Sequence, residues 1–273
     1  MPSPPLDPAP TPEPPVACTI AGVDSGGAAG IAADLKTFAA FGVYGTCVVT
    51  ALTAQDTTKV HGTLSVDAAF LALQLDAVLG DFTVAAAKTG MLATSALIDC
   101  ITARAAAGVL PLLVVDPVMV ATSGASLVDG DAPAAYRRLI AHASIVTPNL
   151  PEAEALLERE IRSRTAMGEA ARALHGLGGA FAVVKGGHLS GEVAVDVCFD
   201  GTQLLELEHP FVPTRNVHGT GCTLSAALAA GLARGEQPLT ALRNAKSYVA
   251  AALARSAAWQ LASGPGPLDH LGT

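Results

Sequence analysis

The chain has 273 residues, 51% of them hydrophobic and only 15% charged, with a formal net charge of −8. A chain of this length buries most of its surface and encloses a small ligand without disulfide or metal staples. The acidic balance argues against a general nucleic-acid binder, whose affinity rests on neutralising phosphates, and no apolar run is long enough to span a bilayer.

Five cysteines (Cys18, Cys47, Cys100, Cys198 and Cys222) are scattered, with no C-x-x-C pair. That usage predicts a reduced, cytoplasmic protein and no zinc or disulfide framework. Eight of the first fifteen residues are proline and the first basic residue is Lys36, which argues against a signal or transit segment. Residues 1–16 are predicted as a solvated, polyproline-like, disordered tail, and 17–273 as a single domain.

Along the chain, β-rich runs at 17–21, 44–50, 84–88, 112–115, 144–147, 181–184 and 194–199 alternate with helical stretches at 30–41, 66–79, 94–107, 132–141, 151–158 and 166–176. Strands separated by helix-length segments imply βαβ crossovers. The predicted fold class is therefore α/β, a largely parallel central sheet with helices on both faces. Segment 193–212 lacks a helix and is expected to form an antiparallel hairpin near the edge.

Polar residues mark one edge of this sheet. Asp24, Gln55, Lys88, Asp116, Asn149 and Lys185 lie at or just beyond the ends of successive strands. Ligands of open parallel sheets bind outside the carboxyl ends of the strands. Six such residues on one edge point to a site.

On helix 30–41, Ile31, Leu35 and Phe38 define the buried stripe, and Asp34 is placed on its flank. A carboxylate held there needs a ligand donor, a backbone amide or a cap as partner. In TPNLPE, Asn149 and Glu152 read equally as a helix cap with an acid in the first turn, or as groups that orient a hydrated magnesium. Lys185-Gly186-Gly187-His188 follows a buried strand, and its lysine reads as a point charge on phosphate or as part of a surface turn.

The strongest local signal is Asn216-Val217-His218-Gly219-Thr220-Gly221-Cys222, opening a helix with Leu224, Leu228 and Leu232 on one stripe. Glycines there let the first amides converge on one point, where the helix dipole supplies roughly half a positive charge. A phosphate or a transferring phosphoryl group fits such a site; a glycine turn feeding a buried helix fits it as well. Cys222 in that first turn is expected to have a lowered pKa and could act as a base, or it could be a small buried residue. There is no G-x-x-x-x-G-K-[ST] element, and Gly22 to Gly30 is not a dinucleotide fingerprint.

The segments TIAGVDSGGAAGIAADLKTFAAFGVYG, VVTALTAQDT, AKTGMLA, VVDPVMVATSG, TPNLPEAEALL, VVKGGHLSG and NVHGTGCTLSAALAAGLARG occur in this order between about Ala17 and Leu271. Together they resemble the hydroxymethylpyrimidine (phosphate) kinases of thiamin biosynthesis, in the branch of the ribokinase-like superfamily that also holds pyridoxal kinases. The resemblance implies ATP as phosphoryl donor, Mg2+ as helper and a small pyrimidine as substrate. It places Gly22, Asp34, Gln55, Met91 and Val118 around the pyrimidine, and Gly219 to Cys222 at the anion hole with Cys222 as base. Lys185 falls at the ATP phosphates, Asn149, Glu152 and Asn216 at the nucleotide, and Asp116 with Glu152 at the metal. A homodimer is expected, and the charge and hydropathy above argue against nucleic-acid or membrane partners. Ala28 stands where glycine is usual, Ala32 where glutamine is common and Val217 where threonine is usual. A left-handed backbone at 28 would cost alanine about 1 kcal/mol. A pyridoxal or pyridoxine kinase and a non-catalytic vitamin-binding protein are the competing readings.

Overall fold

The run at 17–21 forms the heart of β1 (Val16–Asp24), in a computed structural model that describes residues 12–272 apart from 121–126, 129 and 188–192. Most of the proline-rich segment, together with His188, therefore lies outside the described residues. The strand begins one residue before the expected boundary, and Pro15 accepts a backbone hydrogen bond from Tyr44.

From β1 the chain alternates as expected: α1 (Gly30–Ala40), β2 (Tyr44–Gln55), β3 (Val60–Ser65), α2 (Ala68–Asp81), β4 (Val84–Thr89), α3 (Ser95–Ala106) and β5 (Val114–Val115). It continues through α4 (Ala132–Ile140), β6 (Ile145–Val146), α5 (Leu150–Leu157), α6 (Arg164–Gly176) and β7 (Phe181–Lys185), then β8 (Val193–Phe199), β9 (Leu204–Pro210), α7 (Thr220–Ala233) and α8 (Pro238–Ser256). Among the described residues the strands form one sheet in the order β3-β2-β1-β4-β5-β6-β7-β8-β9. The six from β2 to β7 are parallel, while β3, β8 and β9 are antiparallel additions at the two edges. The predicted 193–212 hairpin is β8 with β9.

Alternation along the strands builds two cores. Ile20, Val48, Val115 and Val146 face a layer made by α2 to α6, whereas Ala17, Val114 and Ile145 face α1, α7 and α8. Burial on both faces explains why these strands read as continuous apolar runs. Local chemistry starts the helices: Asp67, Thr94 and Ser163 each accept a first-turn amide through the side chain. Such a cap contributes about 1 kcal/mol.

Two elements escaped the sequence reading. β3 (VHGTLS) is almost wholly exposed and has no apolar alternation; it is held by pairing with the far end of β2. α8 is rich in alanine and packs closely on α7, where a β-carbon at Gly231 would come within 2.8 Å of Ala241. Ala28 is not in the left-handed region; that conformation falls on Gly27 and Gly30, so the anticipated alanine penalty does not arise.

Candidate active site

The parallel strands end on a cleft of about 810 Å³ that opens to solvent. Asp24 reaches its wall because β1 leads directly into the turn before α1. No side chain of Ala29 caps that helix, and Asp24 does so from outside: its carboxylate accepts the amides of Gly26 (2.8 Å), Ala28 (3.0 Å) and Ala29 (2.9 Å). His218 Nε2 lies 3.2 Å from the same carboxylate and 3.1 Å from the Gln55 carboxamide. Burial opposes the charge on Asp24, but His218 and the loop amides hold its pKa below the usual carboxylate value.

The adjoining wall is the start of α7. Gly219 caps this helix at φ +88°, and a β-carbon there would sit 1.9 Å from the Ala28 carbonyl oxygen. Only glycine fits a left-handed backbone at such an approach. The Gly221 and Cys222 amides take no acceptor among the described residues, as expected of a first helical turn. The Lys185 ammonium is beside them, 3.3 Å from where a β-carbon of Gly221 would be. These donors converge on the cleft, an arrangement suited to an anion.

Lys185 Nζ lies 2.7 Å from Asp116 Oδ1, and Asp116 also accepts from Thr147 (3.3 Å) and Ser225 (3.2 Å). Burial works against the charge of Lys185, yet Asp116 and Glu152 keep its pKa above the ordinary lysine value. Asn149 and Glu152 close a reciprocal capping box at the start of α5, with bonds of 2.9 and 2.8 Å. Burial raises the Glu152 carboxyl to about 7, with Lys185 pulling the other way.

Of the residues expected in the site, Gly22, Gln55, Met91, Val118, Asp116, Asn149, Glu152, Lys185 and Gly219 to Cys222 all line this cleft. Two do not. Asp34 is fully buried: Ile31, Asp34 and Phe38 share one helical face, so its carboxylate points into the core. There it pairs with Lys88 (3.0 Å) and accepts from Thr19 (2.6 Å). Asn216 is also buried and turns away, donating to the carbonyls of Ser256 (2.7 Å) and Trp259 (3.0 Å).

One electrostatic expectation is corrected. The helix terminus does not give Cys222 an acidic thiol; burial pushes it up to about 11, against a downward pull from Lys88. Its sulfur accepts the Gly30 amide at 3.5 Å.

A second cleft of about 1120 Å³ continues from the first past Val217, Thr220 and Gly221. Phe211, Val212, Leu224, Val249 and Leu253 give it apolar walls, and the Lys246–Asp196 ion pair (2.6 Å) lies at its side. The sequence reading missed it, although Leu242, Val249 and Leu253 on α8 carry a helical apolar spacing.

Residues 24–269 match the family described as phosphomethylpyrimidine kinase, a span that includes most of both clefts. The chain belongs to that family. The hydroxymethylpyrimidine/phosphomethylpyrimidine kinase of Rhizobium meliloti is 47% identical over 257 residues, covering 93% of this chain and 96% of the relative. The thiamine biosynthesis bifunctional protein ThiED of Geobacter sulfurreducens is 46% identical over 254 residues, 93% of this chain; the match spans only 51% of that longer protein. Among solved structures, an ADP complex of Bacillus subtilis pyridoxal kinase superposes with a TM-score of 0.88 at 36% identity, covering 95% of this chain and 98% of the other. The fold is thus that of the ribokinase-like vitamin kinases, as the resemblance implied.

Proposed function

We propose that the chain transfers the terminal phosphoryl group of ATP to 4-amino-5-hydroxymethyl-2-methylpyrimidine and then to its monophosphate, giving the diphosphate used in thiamin biosynthesis. The observation that carries this reading is the junction of two clefts at one anion site. The polar cleft holds Gln55, Met91 and Val118 for a small ring, and the apolar cleft suits an adenine. Lys185 and Gly221 line both clefts where the two meet, with Cys222 next to them in the first turn of α7.

Phosphoryl transfer asks the protein mainly for positioning and charge stabilisation. Lys185 and the first-turn amides of α7 would stabilise the transferring group. Gln55 would orient the ring so that the hydroxymethyl oxygen faces it. Cys222 is the proposed acceptor of the hydroxyl proton, a role open only to its thiolate form, which burial makes scarce by raising the thiol to about 11. Asp34 would act on the ring only through the core beneath Cys222, by way of Lys88. Asn216 would serve the nucleotide by fixing the loop that carries Val217.

No group of three metal-ligating side chains occurs among the described residues. Mg2+ keeps several waters and binds through one or two carboxylates together with phosphates. Glu152 and Asp116 fit that requirement, with Asn149 beside them, and the ion would neutralise phosphate charge there.

Two wider readings accompany this one. Leu64 on β3 and Leu73 on α2 are 69% and 63% exposed, which supports a homodimer through this part of the surface. All five cysteines are free, which supports a reducing, cytoplasmic setting. Among the described residues no helix is long and apolar enough to cross a membrane. The span 17–273 is read as one kinase domain.

The structural likeness to pyridoxal kinase favours vitamin B6 as a second substrate class. An ADP-release assay with the pyrimidine, pyridoxal and no acceptor separates the readings. Faster release with the pyrimidine supports the proposal, faster release with pyridoxal supports the alternative, and no release with either leaves a binding protein.

A further inference from the structure

One ring nitrogen, His218 Nε2, faces two side chains at once. Asp24 Oδ2 is 3.2 Å away, and the end of the Gln55 carboxamide, with its Nε2 in this position, is 3.1 Å away. A neutral imidazole nitrogen carries either a proton or a lone pair, so it cannot donate to one neighbour and accept from the other. Asp24 decides which. Its carboxylate already accepts three backbone amides, an environment that favours the ionised form. An ionised carboxylate only accepts, so His218 Nε2 must carry the proton.

A protonated Nε2 repels an amide NH2. The oxygen and nitrogen of a carboxamide exchange places by a half-turn of its terminal bond and are assigned from the surrounding hydrogen bonds. After that half-turn, Gln55 Oε1 accepts from His218 together with Asp24. The NH2 then occupies the position 3.5 Å from Thr53 Oγ1. That hydroxyl donates to the Val23 carbonyl at 3.0 Å and keeps a lone pair to accept from Gln55. One amide hydrogen then meets Thr53 Oγ1 and the second is left over on Gln55, whose side chain lines the cleft.

We infer that Asp24 and His218 are positioning residues that lock the Gln55 carboxamide with its NH2 toward the cleft, so that the site selects a ring presenting a hydrogen-bond acceptor. In an aminopyrimidine that acceptor is a ring nitrogen beside the amino group. The inference rests on the proposed pyrimidine substrate for the ring, but not for the lock.

Two measurements test it separately. In the ligand-free protein, 15N NMR of the His218 side chain reads whether Nε2 bears a directly bonded hydrogen. A protonated Nε2 is expected; a bare Nε2 overturns the lock whether or not the protein is a kinase. Steady-state kinetics then compares the pyrimidine with an analogue in which CH replaces the ring nitrogen next to the amino group. The wild type should show about a tenfold higher KM for the analogue, equivalent to about 1.4 kcal/mol. His218→Ala should lose this discrimination with the loss falling on KM more than on kcat, and His218→Gln, which keeps a donor, should restore part of it. Equal damage to both rings in kcat and KM overturns the inference. Turnover of neither ring by the wild type contradicts the proposed substrate and leaves the NMR result to decide the lock.

Discussion

Lys88 and Asp34 form an ion pair with a nitrogen–oxygen distance of 3.0 Å, both side chains fully buried, on the core side of the cleft near Cys222. Burial alone would push the lysine toward its neutral form, but Asp34 holds its pKa above the ordinary value. The pair keeps the Lys88 ammonium neutralised within the core, out of reach of ligand. Removing one partner of a buried pair costs roughly 3–5 kcal/mol, because the other charge is stranded.

Asp34→Ala should therefore lower the melting temperature by about 6–20 °C, taking 2–4 °C per kcal/mol for a chain of this size. The double change Asp34→Leu with Lys88→Met should recover most of that loss. Thermal unfolding of the three proteins checks it. An unchanged melting temperature in Asp34→Ala, with a raised KM for the pyrimidine, would instead mean direct contact with the ring.

Gly219→Ala adds a β-carbon 1.9 Å from the Ala28 carbonyl at a backbone φ of +88°. The first turn of α7 must shift and its amides must lose their aim. Turnover should fall by about 10²–10³-fold, as when a preorganised anion donor is lost. Circular dichroism should show the fold retained. Wild-type turnover would remove this loop from the transfer step.

Cys222→Ala should lower turnover by about 10²–10⁴-fold, the usual effect of losing a general base. Because burial raises the thiol to about 11, alkylation of Cys222 by iodoacetamide should be slow near neutrality. Its rate should climb about tenfold per pH unit, since the thiolate is the nucleophile. Peptide mapping separates it from the exposed Cys47. Rapid alkylation at neutral pH would restore the acidic-thiol reading.

Glu152 is buried and its folded pKa, about 7, lies above the ordinary 4.5. The folded state therefore binds the proton more tightly than the unfolded one. The stability this contributes is fully present below about pH 4.5 and is lost as pH rises to about 7, on the order of 3 kcal/mol in all. Between about pH 5 and pH 8 the wild-type melting temperature should fall more steeply than that of Glu152→Gln, which does not titrate and keeps the capping oxygen. Parallel curves would contradict the buried, protonated carboxyl.

The chain order of polar residues at strand ends, and the glycines before α7, made most of the polar cleft legible, because both follow from backbone geometry that sequence spacing encodes. Asp34 was harder. It was expected on the flank of the buried stripe, whereas it lies between Ile31 and Phe38 on the buried face itself, and nothing in the local sequence names Lys88, in the third strand after α1, as its partner. Cys222 shows two effects of opposite sign at one position: the helix terminus is visible in sequence, while burial, which wins, depends on packing from several elements. The apolar cleft was missed because Phe211, Val212, Val249 and Leu253 have no distinctive chemistry and come together only when α8 folds back beside β9.

The central claim is two successive phosphorylations at one anion site. Mass spectrometry of a timed reaction with ATP, magnesium and 4-amino-5-hydroxymethyl-2-methylpyrimidine tests it most directly. The monophosphate should appear first and then decline as the diphosphate accumulates, with both absent when magnesium is chelated. Efficient phosphorylation of pyridoxal, with the pyrimidine monophosphate never consumed, would contradict it.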